Sequence, residues 1–135
     1  MSRSISIINI TQNIPATFRL KYCDNFFNRL RGFTFRKAIG LEEGLVLVEK
    51  RDSKLDTTIH MLFVGTDLAV FWVDSSMVVV DKILARSWRP YYAPKFPASY
   101  VIELNPSQLS VFKIGDKLEF VTAPHACPWP APAGQ

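Results

Sequence analysis

The chain has 135 residues, of which 48% are hydrophobic and 13% aromatic. This length suits a single domain, and the composition excludes an intrinsically disordered main body. Sixteen Lys and Arg residues against twelve Asp and Glu residues give a formal net charge of +4, which a solvated surface explains as well as an anionic partner does. We expect one domain over residues 1–122, followed by a proline-rich tail at 123–135.

The spacing of the cysteines and the length of the apolar runs indicate the cellular compartment. Cys23 and Cys127 stand far apart and lack the spacing of a zinc site or a disulfide framework. The N-terminus has too short an apolar run for a signal-peptide core, and no run approaches the roughly 20 apolar residues of a membrane helix. We therefore expect a cytoplasmic protein with no membrane span, no metal site and no cofactor.

The first third of the chain predicts two strands and one helix. Alternation of apolar and polar residues indicates strands at 4–10 and 17–22. Asp24 is placed to cap a helix over 24–33, and an apolar stripe follows it at helical spacing. Such a stripe is typical of packing against a sheet, which leaves the arginines of the helix towards solvent.

The middle of the chain contains the most distinctive strand pattern. We expect a short buried strand at 45–48, a charged and solvated loop at 49–56, and a further strand at 57–64. Residues 68–73 are apolar on both faces, which indicates a central strand covered on both sides. A turn at 74–76 predicts that 77–85 returns antiparallel to it.

The last part combines a proline-rich loop with short elements. Residues 87–97 hold three prolines and four aromatic residues, which predicts an ordered loop over the sheet. Strands are expected at 99–104 and 117–122, with one helical turn begun by Pro106. Without strand–helix alternation, the pattern predicts a mainly β domain, an antiparallel β-sandwich or barrel with one short flanking helix.

Several short motifs, in their order along the chain, resemble a known family, the domain-of-unknown-function 192 family. The motifs span about residues 17–121. They are, in order, Arg29-x-x-Gly32-Phe33-x-x-Arg36, Glu43-Gly44-Leu45, Ile59-His60, the strand ending at Asp74, Trp88-Arg89, Glu103-Leu104 and Gly115-Asp116. The resemblance implies a compact β-sandwich similar to a jelly roll, and no agreed activity.

The chain departs from the family pattern in its most polar part. The Met and Arg of that pattern fall on Val64 and Gly65, its Pro on Asp67 and its internal Asp on Ala69. Asp67 is the nearby carboxylate that could replace the missing one, since two residues along a strand preserve the face.

The candidate ligand-binding residues form two groups. His60 can titrate, bind a metal or donate a hydrogen bond, and with Arg29 and Arg36 it could form an anion pocket. The structural alternative is a hydrogen-bonded His60, with the arginines in ion pairs to Glu43 and Glu103. The second group comprises Trp88, Arg89 and Tyr91, beside Tyr92 and Phe96. These rings could stack on a ligand or close an open end of the sandwich.

No nucleophile elbow or phosphate-binding glycine loop is present in the sequence. We expect a non-enzymatic binding or accessory module, with a small molecule or a protein as its partner. Two alternatives are an enzyme that uses His60 with Asp67 or Glu103, and a weak nucleic-acid binder that uses the basic helix and the rings.

Overall fold

The computed structural model describes residues 3–23, 40–41, 43–59, 61, 65–89 and 91–122. Seven strands and one short 3-10 helix account for its regular structure. The strands are β1 (Arg3–Asn9), β2 (Ile14–Cys23), β3 (Glu43–Ser53), β4 (Leu68–Val73), β5 (Val79–Ala85), β6 (Ala98–Leu104) and β7 (Leu118–Thr122), and the 3-10 helix is Pro106–Gln108. The mainly β fold class is confirmed.

The strands form one hydrogen-bonded sheet in the order β5-β4-β6-β3-β2-β1-β7. Its two outermost strands approach each other where they begin, because Val78 pairs with Lys117. The adjoining backbone bond runs from Leu118 N to Met77 O and measures 2.8 Å. Only this corner is joined among the described residues, so the sheet curls over on itself without closing into a barrel.

Curling places the apolar residues in two clusters. The inner cluster joins Phe71 and Ile102 from the centre of the sheet to Ile7 and Leu118 from its far side, so the two halves pack face to face as in a sandwich. Phe112 completes this cluster, with its ring centroid 5.1 Å from that of Phe71.

The outer cluster covers the opposite face of the central strands. It includes Val70, Trp72 and Val101 from the sheet, together with Ile59 and Met61 from a segment that crosses it. Trp72 fixes this segment, since its Nε1 donates to Thr57 O at 2.8 Å. Every residue of β4 is buried, which agrees with the prediction of a central strand covered on both sides.

The β4–β5 hairpin matches its sequence prediction closely. Leu68 pairs with Ala85, and the register continues to the pair Trp72–Asp81 before it shifts at Val73, which pairs with Val79. Asp74 closes the turn, because its Oδ1 accepts from Ser76 N at 2.9 Å and from Val78 N at 3.0 Å. Met77 completes the turn with a φ of 66°.

Three predictions are corrected. Strands β2 and β3 pair in parallel, whereas an antiparallel fold was predicted. Parallel pairing needs a long connection, and residues 24–42 provide enough chain for it. Strand β3 extends to Ser53, so part of the charged segment is a strand with exposed side chains rather than a loop. The described residues of 57–64 form no strand, only the isolated pair Ile59–Tyr92.

Two further predictions lie outside the described residues, namely the helix at 24–33 and the tail at 123–135. The single helical turn at Pro106 is confirmed as a 3-10 turn, with Asn105 at its start accepting from Ser107 N.

Candidate functional site

The proline-rich loop 86–97 is held against the crossing segment by backbone hydrogen bonds. Ile59 and Tyr92 exchange two bonds of 2.9 Å. Met61 donates to Arg89 O at 3.0 Å and accepts from Trp88 N at 2.8 Å. These four bonds fix the loop backbone to Ile59 and Met61, two residues of the outer cluster, and so hold it over the outer face of the sheet.

Side chains fix the start of the same loop. The Asp67 carboxylate accepts from Ser87 N at 2.8 Å and forms an ion pair of 3.3 Å with Arg86. The Tyr92 hydroxyl accepts from Arg86 N at 2.8 Å. Asp67 therefore positions the loop, and it lies just before β4 rather than within it. That Asp67 replaces the family's strand Asp stays a prediction, and Ala69 itself is fully buried in the inner cluster.

The far end of the loop is tied to the edge of the sheet. Asp81 on β5 is buried, and its Oδ2 accepts from Lys95 N at 3.0 Å. Its Oδ1 accepts from Lys82 N at 2.9 Å. The Asp81 carboxylate thus anchors the loop and also accepts from a backbone amide of strand β5.

Three large rings of the loop lie at the surface although the backbone is fixed. Trp88 is 55% exposed, Tyr91 72% and Phe96 58%. Only Tyr92 packs against the outer cluster and so closes the core. Arg89 and Lys95 are exposed between these rings in the sequence. We call these five residues the aromatic platform: Trp88, Arg89, Tyr91, Lys95 and Phe96.

Trp88 has a backbone conformation that a bulky residue rarely adopts. Its φ is 68°, in the left-handed region that favours glycine. The bonds at Met61 and Asp67 on either side of it hold the chain there. Residues held in such conformations cluster at ligand sites and switches, where the local strain serves to present a side chain.

The predicted site residues separate into described and undescribed groups. Trp88, Arg89 and Tyr91 are described, and all three are exposed close to one another in the sequence of the platform. His60, Arg29 and Arg36 lie outside the described residues. The neighbours of His60 in the sequence, Ile59 and Met61, are both buried and both bonded to the loop.

Glu103, which the sequence offered as an ion-pair partner or as a candidate acid, is a buried carboxylate. It is 6% exposed and lies between Leu45 and Val70 of the adjacent strands, on the face of the outer cluster. Burial raises the pKa of Glu103 to about 7. Within the described residues no cation or hydrogen-bond donor reaches it, and the arginines expected to pair with it lie outside them.

The other carboxylates near the turns have structural partners. Asp52 accepts from the Ser75 amide and hydroxyl at 2.9 Å and from the Ser99 hydroxyl at 2.6 Å. This contact holds the end of β3 against the β4–β5 turn and the start of β6. With Asp67 and Asp74 also engaged, Glu103 is the described carboxylate best suited to acid–base chemistry.

In the described part of the chain, no three His, Cys, Asp or Glu side chains gather as a metal site would require. Among the same residues there is also no helix of the length and apolar character needed to cross a bilayer.

Comparison with known proteins gives the chain a family. The model of the domain-of-unknown-function 192 family, described as "Uncharacterized ACR", matches residues 7–120. The chain belongs to this family. The resemblance stated from the sequence motifs is therefore confirmed.

Relatives in the family have names that assign no activity. A UPF0127 protein of Thermococcus sibiricus is 33% identical over 128 residues, which cover 93% of this chain and 81% of the relative. A UPF0127 protein of Pyrococcus furiosus is 31% identical over 118 residues, which cover 84% and 97% of the two chains. The family is thus one of uncharacterised function.

Two crystal structures share the fold. A candidate transcription regulator from Sinorhizobium meliloti has a TM-score of 0.75 at 14% identity, covering 89% of this chain and 94% of its own. A protein of unknown function from Novosphingobium aromaticivorans has a TM-score of 0.72 at 20% identity, covering 87% and 84%. At these identities the likeness concerns the fold alone.

Proposed function

We propose that this member of the domain-of-unknown-function 192 family is a non-enzymatic binding module whose contact surface is the aromatic platform. One observation supports the proposal above the others. The loop backbone is fixed at both ends, yet Trp88, Tyr91 and Phe96 are each more than half exposed. A loop whose only role is to cover the sheet would turn such rings towards the core, as Tyr92 does.

A preformed loop suits binding for an energetic reason. Ordering a mobile loop on association costs free energy, typically about 0.5–1.5 kcal/mol for each immobilised side chain of many rotamers. Here Asp67, Asp81 and Met61 already hold the backbone in place. Large, stiff aromatic side chains then offer contact area with little further loss of conformational freedom.

The location is part of the proposal. Cys23 and Cys127 lack the spacing of a disulfide framework, which suits a reducing compartment. We therefore propose that the protein acts in the cytoplasm. Blocking free thiols in intact cells before lysis would test this: both cysteines should be captured as reduced thiols.

In vitro selection tests the binding function without assuming a ligand. The protein would be used to select from a random peptide library and from a pool of random single-stranded oligonucleotides. Selected ligands should bind the wild-type chain and lose at least tenfold in affinity for Tyr91→Ala/Phe96→Ala. The matched control is Leu55→Ala/Ile114→Ala, which removes two exposed apolar side chains outside the platform.

The two variants distinguish binding to the platform from binding to exposed apolar side chains in general. Ligands that bind the platform variant as tightly as the wild type would refute the proposal. Equal loss in both variants would also count against it, because the effect would then follow from general surface apolarity rather than from the platform.

A further inference from the structure

The platform carries two cations that no acidic group among the described residues neutralises. Arg89 and Lys95 are both exposed. No acceptor among the described residues bonds either side chain, although Lys95 uses its backbone amide to hold the loop. By contrast, the nearby Arg86 is paired with Asp67. The charges of Arg89 and Lys95 therefore remain available to a partner.

The sequence around the platform has one sign of charge. From residue 82 to residue 102 the chain contains four basic residues and no acidic one. The first of these, Lys82, is directed to the Leu109 and Phe112 carbonyls at 2.9 and 3.0 Å and so belongs to the sheet rather than the surface. In space, Asp67 and Asp81 also contact the loop, but Asp67 pairs with Arg86 and the buried Asp81 accepts from Lys95 N. The exposed charges of the platform itself are Arg89 and Lys95, which favour an anionic partner.

Strand β5 is the sheet edge next to the platform, and a partner strand is hindered from pairing with the centre of this strand. Strand β5 is an edge strand, and Asp81 Oδ1 accepts from Lys82 N there. The same carboxylate holds Lys95 N, which brings the loop to this edge. Protein edges are commonly protected in such ways against added strands. We therefore expect recognition to use the side chains of the platform rather than backbone pairing.

Resting on the binding function proposed above, we propose that the occupant of the platform is an acidic segment of a protein partner. Its carboxylates face Arg89 and Lys95, and its apolar or aromatic side chains lie on the rings of Trp88, Tyr91 and Phe96. Aromatic residues and arginine are enriched where protein interfaces gain most of their affinity. Two unpaired cations would neutralise only about two phosphates, too few for firm nucleic-acid binding.

Three defined polymers test the class of partner: poly(Glu,Tyr) as the acidic aromatic polypeptide, oligo(dT) as the anionic nucleic acid, and poly(Lys,Tyr) as the charge-reversed polypeptide. Fluorescence anisotropy of labelled polymers would be measured at 50 and 200 mM salt. We expect poly(Glu,Tyr) to bind, with affinity falling as salt rises, and to bind more tightly than the other two.

Two variants with the same change of net charge locate the contact. Arg89→Glu/Lys95→Glu should weaken poly(Glu,Tyr) binding at least tenfold, and Tyr91→Ala/Phe96→Ala should weaken it as well. Lys113→Glu/Lys117→Glu, at two exposed lysines outside the platform, should change it less than threefold.

The outcomes separate this inference from the function on which it rests. Binding of oligo(dT) in preference to poly(Glu,Tyr), lost in both platform variants, would overturn the acidic-protein partner and leave the platform as a binding surface. Equal losses in both charge variants would overturn it as a non-specific charge effect. If no polymer and no selected ligand depends on the platform, the inference and the proposed function both fail.

Discussion

Asn9 and Asp116 lie 107 positions apart in the sequence and are joined by a hydrogen bond of 2.6 Å from Asn9 Nδ2 to Asp116 Oδ2. The same oxygen accepts from Gln12 Nε2 and from Lys113 N, each at 2.8 Å. Asp116 is 4% exposed, so these donors are its main solvation. One carboxylate thereby ties the end of β1 to the turn before β7, beside the corner where the two edges of the sheet meet.

Replacing Asp116 by Ala should therefore destabilise the fold. The change leaves three donors without their acceptor, and buried donors left unsatisfied cost about 1–3 kcal/mol each, partly relieved by water. We expect a loss of about 3 kcal/mol in the free energy of unfolding, measured by urea denaturation. Asn9→Ala removes one of these donors and also the Oδ1 that accepts from Gln12 N at 3.1 Å, and should cost less, about 1–2 kcal/mol. Equal losses for the two variants would contradict the central role of the carboxylate.

Glu103 should make stability depend on pH in the direction opposite to that of a salt-bridged acid. Burial raises its pKa from 4.5 to about 7 in the folded state. Between these values the folded state binds more protons than the unfolded state, so stability falls as pH rises and levels off above about 7. This rise in the pKa of Glu103 corresponds to a loss of about 3 kcal/mol in the free energy of unfolding.

The variant Glu103→Gln removes this titration while keeping the shape of the side chain. Its unfolding free energy relative to the wild type should increase by about 3 kcal/mol between pH 4.5 and pH 8, measured by chemical denaturation at each pH. Glu119→Gln, at an exposed position on β7, controls for the change in net charge and should not reproduce this trend. If Glu103→Gln is less stable than the wild type at pH 8, the carboxylate is charged and paired.

Asp52 should make stability depend on pH in the direction opposite to that of Glu103. The Ser99 hydroxyl, the largest cause, lowers the pKa of Asp52 below its ordinary 3.8, and bonds from Ser75 add to the effect. The stability that these bonds provide is therefore present above about 3.8 and lost as pH falls through the lower folded value.

Asp52→Asn should thus reduce the unfolding temperature at pH 6, and this effect should shrink as the pH falls through the lowered folded-state pKa. Because this carboxylate is largely exposed, the effect should be small. Ser99→Ala removes the largest single cause and should reproduce most of it. A loss that does not shrink as the pH is lowered would show that packing, rather than the charge, is responsible.

The sequence predicted those parts of the fold that depend on local pattern. The β4–β5 hairpin follows from an apolar run bounded by Asp74 and a turn, and these signals lie within 20 residues of one another. The parallel pairing of β2 with β3 was missed, because nothing local distinguishes a parallel partner from an antiparallel one. The extension of β3 to Ser53 was missed because charged side chains on an exposed strand resemble those of a loop.

The candidate site was predictable only in part, for a similar reason. The concentration of prolines and rings at 87–97 predicted an ordered loop but left open whether its rings contact a ligand or close the sandwich. In the structure Trp88, Tyr91 and Phe96 are exposed, whereas Tyr92 packs against the outer cluster. The anchors Asp67 and Asp81 could not be identified, because each carboxylate accepts from a backbone amide 20 or 14 positions away. Such contacts exist only once the strands have set their register.

Trp88 offers a test of backbone strain that is independent of any ligand. Its φ of 68° suits glycine better than any residue with a Cβ. Trp88→Gly and Trp88→Ala both remove the ring, so their difference isolates the backbone. We expect the Gly variant to be more stable than the Ala variant by about 1 kcal/mol. Thermal or urea unfolding of the two purified variants would measure this difference.

The same pair of substitutions at Tyr91 is the matched control. Tyr91 belongs to the same loop but not to the residues with positive φ, so glycine has no backbone advantage there and should be equal to or less stable than alanine. A Trp88 pair that behaves like the Tyr91 pair would mean that the left-handed conformation carries no strain. If the order inverts as expected, the protein retains a bulky ring at a position where glycine would fold better, and both Trp88 variants should then bind the ligand of the platform more weakly than the wild type.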